Sequence, residues 1–93
     1  MPNVVLGTYN TIAITAASGV YRLNWVSGSS RALDLMNLGP GTIFIRADLD
    51  PTVDDPRSLE IPANWAINHL DVDGRTGLGL IATADTRVSM RAA

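Results

Sequence analysis

The sequence predicts an all-β fold: a single antiparallel β-sandwich or jelly roll of about seven to nine short strands. Three observations carry that prediction. Apolar residues recur with period two along most of the chain, not with the 3.6 of a helix. Turn-forming residues interrupt these runs every ~8–12 residues. The strong surface helix formers are nearly missing: all seven basic residues are arginine, and one glutamate, Glu60, stands beside eight aspartates.

Each element follows from local pattern. Val4 to Gly7 reads as a short first strand or an extended arm, which sets residues 1–10 apart from a sandwich domain at 11–93. In Thr11–Thr15, Ile12 and Ile14 share a face, with threonines opposite. In Val20–Val26, Tyr21, Leu23 and Trp25 point one way, Arg22 and Asn24 the other. Leu33 and Leu35 alternate with Asp34; a short helix over Ser30–Leu38, ended by Gly39-Pro40, is the competing reading there. In Thr42–Leu49, Ile43, Ile45, Ala47 and Leu49 oppose Thr42, Phe44, Arg46 and Asp48. Trp65–Val72 begins with Trp65 and Ile67 on one face, then shifts phase at His69, as a bulge would make it do. Leu78–Thr83 and Thr86–Arg91 are separated by Ala84-Asp85 and read as a hairpin.

Length and composition narrow the function classes. Ninety-three residues make one domain. Such a chain buries about 60–68% of its unfolded surface, enough for a core without staples. There is no cysteine, hence no disulfide, thiolate metal site or cysteine nucleophile. A net charge of −2 with scattered arginines makes no basic stripe for nucleic acid. No apolar run approaches the ~18 residues of a membrane span. Met1–Leu6 lacks a charged n-region and a long apolar h-region, so no secretory signal is expected.

Candidate chemistry is sparse. Asp48, Asp50, Asp54 and Asp55 form an acidic loop that could offer oxygens to calcium. Two Asp-Pro pairs make a solvated turn the stronger reading, with Arg46 and Arg57 near enough in sequence to neutralise it. Asp71-Val-Asp-Gly74 starts like a calcium loop, but the positions that should carry the later ligands hold Arg75 and Ala82. Gly74–Gly79 has the wrong glycine spacing for a dinucleotide site. His69, the single histidine, has no Gly-x-Ser-x-Gly elbow to serve and reads as a surface or interface residue. Neither catalytic, cofactor-binding nor metal-binding residues are expected. Trp25 and Trp65 fall in phase with aliphatic neighbours and read as core. Arg22, Phe44 and Arg46 sit on the expected wet faces, where an aromatic beside arginines suits a partner contact. Val4, Val5, Leu6 and Tyr9 make the N-terminal segment an apolar arm that could order against a neighbour; a plain edge strand explains them as well.

Three stretches together carry a resemblance: Leu35–Arg46, a strand, a Gly-Pro-Gly turn and an alternating strand ending in arginine; Ser58–Trp65, led by Pro62 into the next strand; and the closing Gly79–Met90. The chain resembles small structural proteins of tailed-phage virions, especially capsid decoration or cement proteins. The resemblance implies a β-sandwich or jelly roll on the capsid exterior, assembled in the host cytoplasm. It implies a dimer or trimer that bridges major capsid subunits, without enzymatic activity, cofactor, nucleic acid or membrane. The alternative from the residues themselves is a carbohydrate-binding or fibre-associated module, which needs Trp25, Trp65, Tyr21 or Phe44 exposed as a flat platform.

Overall fold

The computed structural model describes residues 3–5, 10–24, 32–46, 50–54, 56–71 and 77–92. In chain order the strands are β1 (Asn3–Val5), β2 (Asn10–Ile14), β3 (Tyr21–Asn24), β4 (Ala32–Pro40), β5 (Ile43–Arg46), β6 (Leu59–Ile61), β7 (Ala66–Asp71), β8 (Gly77–Ala82) and β9 (Thr86–Ala92). Among the described residues the one piece of helix is a 3-10 turn, Ala16–Ser18. The period-two signal therefore prevails, including over Ala32–Leu38, where a helix competed.

Two sheets form, ordered β1-β3-β8-β5-β6 and β2-β9-β4-β7. All pairings are antiparallel except that of β1, which runs parallel to β3. Each strand of the second sheet is followed or preceded in sequence by its counterpart in the first: β2 by β3, β4 by β5, β6 by β7, β8 by β9. That is the strand order of a jelly roll, with β1 added at one edge.

The expected hairpin at Ala84-Asp85 is corrected by this topology, because β8 and β9 lie in different sheets. The residues between them arch from one layer to the other. Leu78 and Leu80 thus belong to one wall of the core, Val88 and Met90 to the other. A hairpin would have placed all four on a single wall. A second arch, between β4 and β5, packs against the first. The Thr83 N–H donates to the Thr42 carbonyl (2.9 Å), and the Thr42 N–H donates to the Thr83 hydroxyl (3.1 Å). At Gly41 a Cβ would lie 2.3 Å from the Ala84 carbonyl oxygen, so only glycine permits this approach. The corner between β2 and β3 is closed by Tyr21, whose hydroxyl accepts from the Thr15 N–H (3.1 Å). Hydrogen bonds from Ser18 and Thr15 hold that hydroxyl below the usual tyrosine pKa, with burial working against them.

Between the sheets lies one apolar core, including Ile14, Leu23, Leu33, Leu35, Ile43 and Leu80. Burying each such side chain contributes about 1.5–3 kcal/mol. The phase shift read at His69 is present as a bulge. Leu33 pairs with Leu70 and Leu35 with Ile67, so Asp34 alone faces Asn68 and His69. The extra residue lets Ile67 and Leu70, three apart, both pack against the core.

Asn37 is the polar exception, fully buried on β4. Its amide nitrogen donates to the carbonyls of Gly41 (2.8 Å) and Ile61 (2.9 Å). Its amide oxygen accepts from the Gly39 N–H (2.9 Å) and the Thr86 hydroxyl (2.8 Å). All four hydrogen-bonding positions of the side chain are filled. Its backbone N–H donates to the Trp65 carbonyl (2.9 Å), and its carbonyl accepts from the Asn64 N–H (2.7 Å). One residue thereby joins β4, the β4–β5 arch, β6, the β6–β7 arch and β9. Asn37→Ala would strip hydrogen bonds from Gly39, Gly41, Ile61 and Thr86, of which Thr86 and Gly41 still have each other (3.4 Å), and is expected to cost about 2–4 kcal/mol, read as a lowered urea midpoint. A loss under about 1 kcal/mol would show that water replaces the amide and that the hub is dispensable.

Candidate functional site

The outer face of the β1-β3-β8-β5-β6 sheet is where Phe44 and Arg46 were expected to meet solvent. Both are instead buried, at 3% and 8% exposure, and neither offers an open contact. Phe44 also stands outside the central core cluster, so its cover lies on the outer side of the sheet. Among the described residues after β5, Asp50 reaches this face. Asp50 forms an ion pair with Arg22 on β3, two strands away from β5 across β8. Two strand spacings are about 10 Å. The chain must then recross to reach β6, on the far side of β5. Pro51, next to Asp50, is buried. Asp50 and Pro51 thus form a strap on this face of the sheet. In register, Gly79 on β8 separates Arg22 from Arg46 and leaves that row without a central side chain.

Arg22, expected at a partner contact, pairs with Asp50 of its own chain and stays partly exposed. A partly exposed pair of this kind contributes at most about 1 kcal/mol. Val4 and Val5 lie in β1 and pair with Leu23 and Asn24. Leu6, Tyr9, Trp25, Asp48 and Asp55 lie outside the described residues. Among the described residues no group of three or more His, Asp or Glu side chains stands together as cation ligands would.

The open surface is the outer face of the β2-β9-β4-β7 sheet. On β4, Leu33, Leu35 and Asn37 point inward, which turns Asp34, Met36 and Leu38 outward. Met36 is 42% exposed and Leu38 37%. Met36 lies between Ala66 and Ser89 in register. Exposed arginines flank this centre on β9: Arg91 opposite Asp34, and Arg87 opposite Ala13. Two shallow depressions mark the two ends. One, of about 240 Å³, is lined by Asp34, Met36, Asn68 and Arg91 among others. The other, of about 250 Å³, takes in Ala13, Pro40, Asp85 and Arg87. An apolar centre with arginine at its margins is the composition of a protein-binding patch.

Trp65 adjoins this face and corrects its own assignment to the core: it is 63% exposed. The strand begins one residue later, at Ala66. Before it, Asn64 takes a left-handed conformation (φ 67°) in the turn led by Pro62. The indole therefore belongs to the arch beside an edge strand, not to the paired, inward-facing positions. The sequence held a signal for Met36 and Leu38, since Leu35-Met-Asn-Leu38 is apolar on both phases. It held none for Arg87 and Arg91 beyond their alternation with Val88 and Met90.

Comparison with family models, with curated proteins and with solved structures returned no match.

Two measurements check these placements. Phe44→Ala is expected to lower stability by about 3 kcal/mol, the cost of emptying a buried aromatic site. A change near zero would mean that the ring is wet and the strap does not cover it. Acrylamide quenching should lose a readily quenched component in Trp65→Phe; an unchanged quenching curve would put Trp65 back in the core.

Proposed function

We propose that this chain is a non-enzymatic virion structural protein that binds the outer surface of a tailed-phage capsid and stabilises the shell by bridging major capsid subunits. The observation that carries the reading is the open sheet face around Met36 and Leu38, apolar at its centre and bounded by Arg87 and Arg91. Its supporting half is the resemblance of Leu35–Arg46, Ser58–Trp65 and Gly79–Met90 to capsid decoration proteins. Methionine and arginine are enriched where proteins meet, and a rigid sheet presents them without a backbone ordering penalty. As a dimer or trimer the protein would set several such faces on neighbouring subunits. Many modest contacts, repeated by the symmetry of a shell, then sum through avidity.

The expected contact differs from the one drawn from sequence. Phe44 and Arg46 are covered, so the open face takes over the anchoring role. Co-sedimentation with purified empty phage shells tests this. Met36→Asp with Leu38→Asp should weaken shell binding by about 100-fold or more, while circular dichroism stays unchanged. Equal binding by wild type and variant would remove the face from the contact, and shells that bind neither would sink the capsid reading.

A second reading, a carbohydrate-binding module, draws on the exposed indole of Trp65. Tyr21 and Phe44, also named for a platform, are buried, and Trp25 lies outside the described residues, so among the described rings stacking would rest on Trp65. Loss of glycan binding in Trp65→Ala would favour it over the capsid reading.

A further inference from the structure

Four strands form the sheet edges: β1 and β6 in one sheet, β2 and β7 in the other. An open edge invites further pairing, and proteins blunt such edges with charges, prolines, bulges or short length. β6 carries Glu60 and runs into Pro62. β7 holds the bulge opposite Asp34. β1 is three residues long. β2 has none of these devices. It spans five residues without charge or proline, and it pairs with β9 in unbroken register from Asn10 to Ile14.

A second observation points the same way: the two layers are unequal. β1 extends one sheet a strand beyond β3. The other sheet stops at β2, the strand that faces β3, so among the described residues no strand lies opposite β1. Among the described residues no strand closes the core at this end. Ile14 is fully buried, whereas Ile12, packed against the same core, is only half-buried.

We propose that the free edge of β2 takes up one extended segment of a partner protein, which completes the second sheet as its fifth strand. The partner segment is a single strand and not a second copy of this sandwich. Antiparallel pairing of β2 with β2 of another copy would run across a two-fold axis perpendicular to the sheet. The other copy's β3 would then fall in the layer position that β1 already holds. A lone strand brings no second layer and meets no such obstacle. Main-chain hydrogen bonds supply its affinity and alternate side chains its specificity. Its inward positions continue the row of Ile12 and Ile14 and call for valine, isoleucine or leucine. Its outward positions lie beside Thr11 and Ala13 and call for small or polar residues. A carboxylate beside Ala13 would face Arg87 across that small side chain, since register sets Arg87 opposite Ala13.

The test is a titration of the full ¹⁵N-labelled chain with the acetylated, amidated peptide TVDVT, followed by NMR. Shift changes and slowed amide exchange should concentrate at Asn10–Ile14. Two further peptides, N-methylated on the odd or on the even amides, keep the same side chains but block opposite edges of the strand. One of the two should lose about tenfold or more in affinity while the other keeps it. Absence of shifts at β2 up to millimolar peptide would overturn the proposal. So would equal binding by both methylated peptides, which would mean side-chain docking without strand pairing. A concentration-dependent dimer with protected β2 amides in the free protein would overturn it too, by making a second copy the occupant.

Discussion

The Asn37 side chain is the interaction on which the rest of the structure depends. A sandwich of two sheets is held chiefly by apolar burial, which is strong but does not say which strands face each other. The Asn37 amide does say so. It ties β4 and β9 of one sheet to β6 of the other and to the arch that joins β4 to β5. A buried amide with four partners stabilises only when all four are in place, and among the described residues no buried side-chain polar atom lacks a partner. Register errors in any of these strands would break the set, so the network selects one topology from the several that the apolar pattern allows.

The arches follow from that constraint. Strands that would make hairpins in a flat sheet cross between layers, because the β4–β5 and β8–β9 links lock together through Thr42, Thr83 and the close approach at Gly41. The strap after β5 has a related effect on the opposite surface. On a nominally wet sheet face Asp50 is tied to Arg22, and Pro51, Phe44 and Arg46 are buried. Among the described residues one open sheet face and one undefended sheet edge remain, and these adjoin at β2. A protein that works by contact has those two places to offer, one suited to a surface and the other to an extended chain.

Much of this was legible in the residues, and the pattern of what was not is instructive. Period-two alternation located the strands and the inward positions of β3 and β5, and even the bulge in β7, because side-chain direction on a strand is a local property. It misplaced Phe44, Arg46 and Trp65. Alternation tells which residues share a face, but whether a face is wet depends on what the chain lays over it. Arg22 and Asp50 lie far apart in sequence, and no local signal announces that they will meet. Asn37 was likewise invisible as a hub: an asparagine between Met36 and Leu38 looks like any turn-adjacent polar residue until its four partners converge from elsewhere.

By itself, then, the sequence determined the all-β class, the approximate places of most strands and the inward aliphatic residues of β2, β3 and β5, all set by backbone preference and by apolar spacing along neighbouring residues. Only the tertiary structure decided that Ala84-Asp85 is an arch, that Asp50 meets Arg22, and that Met36 and Leu38 rather than Phe44 and Arg46 face outward to solvent. Those outcomes rest on contacts between residues remote in the chain, and the free energy of such contacts exists only once the two layers have closed on each other.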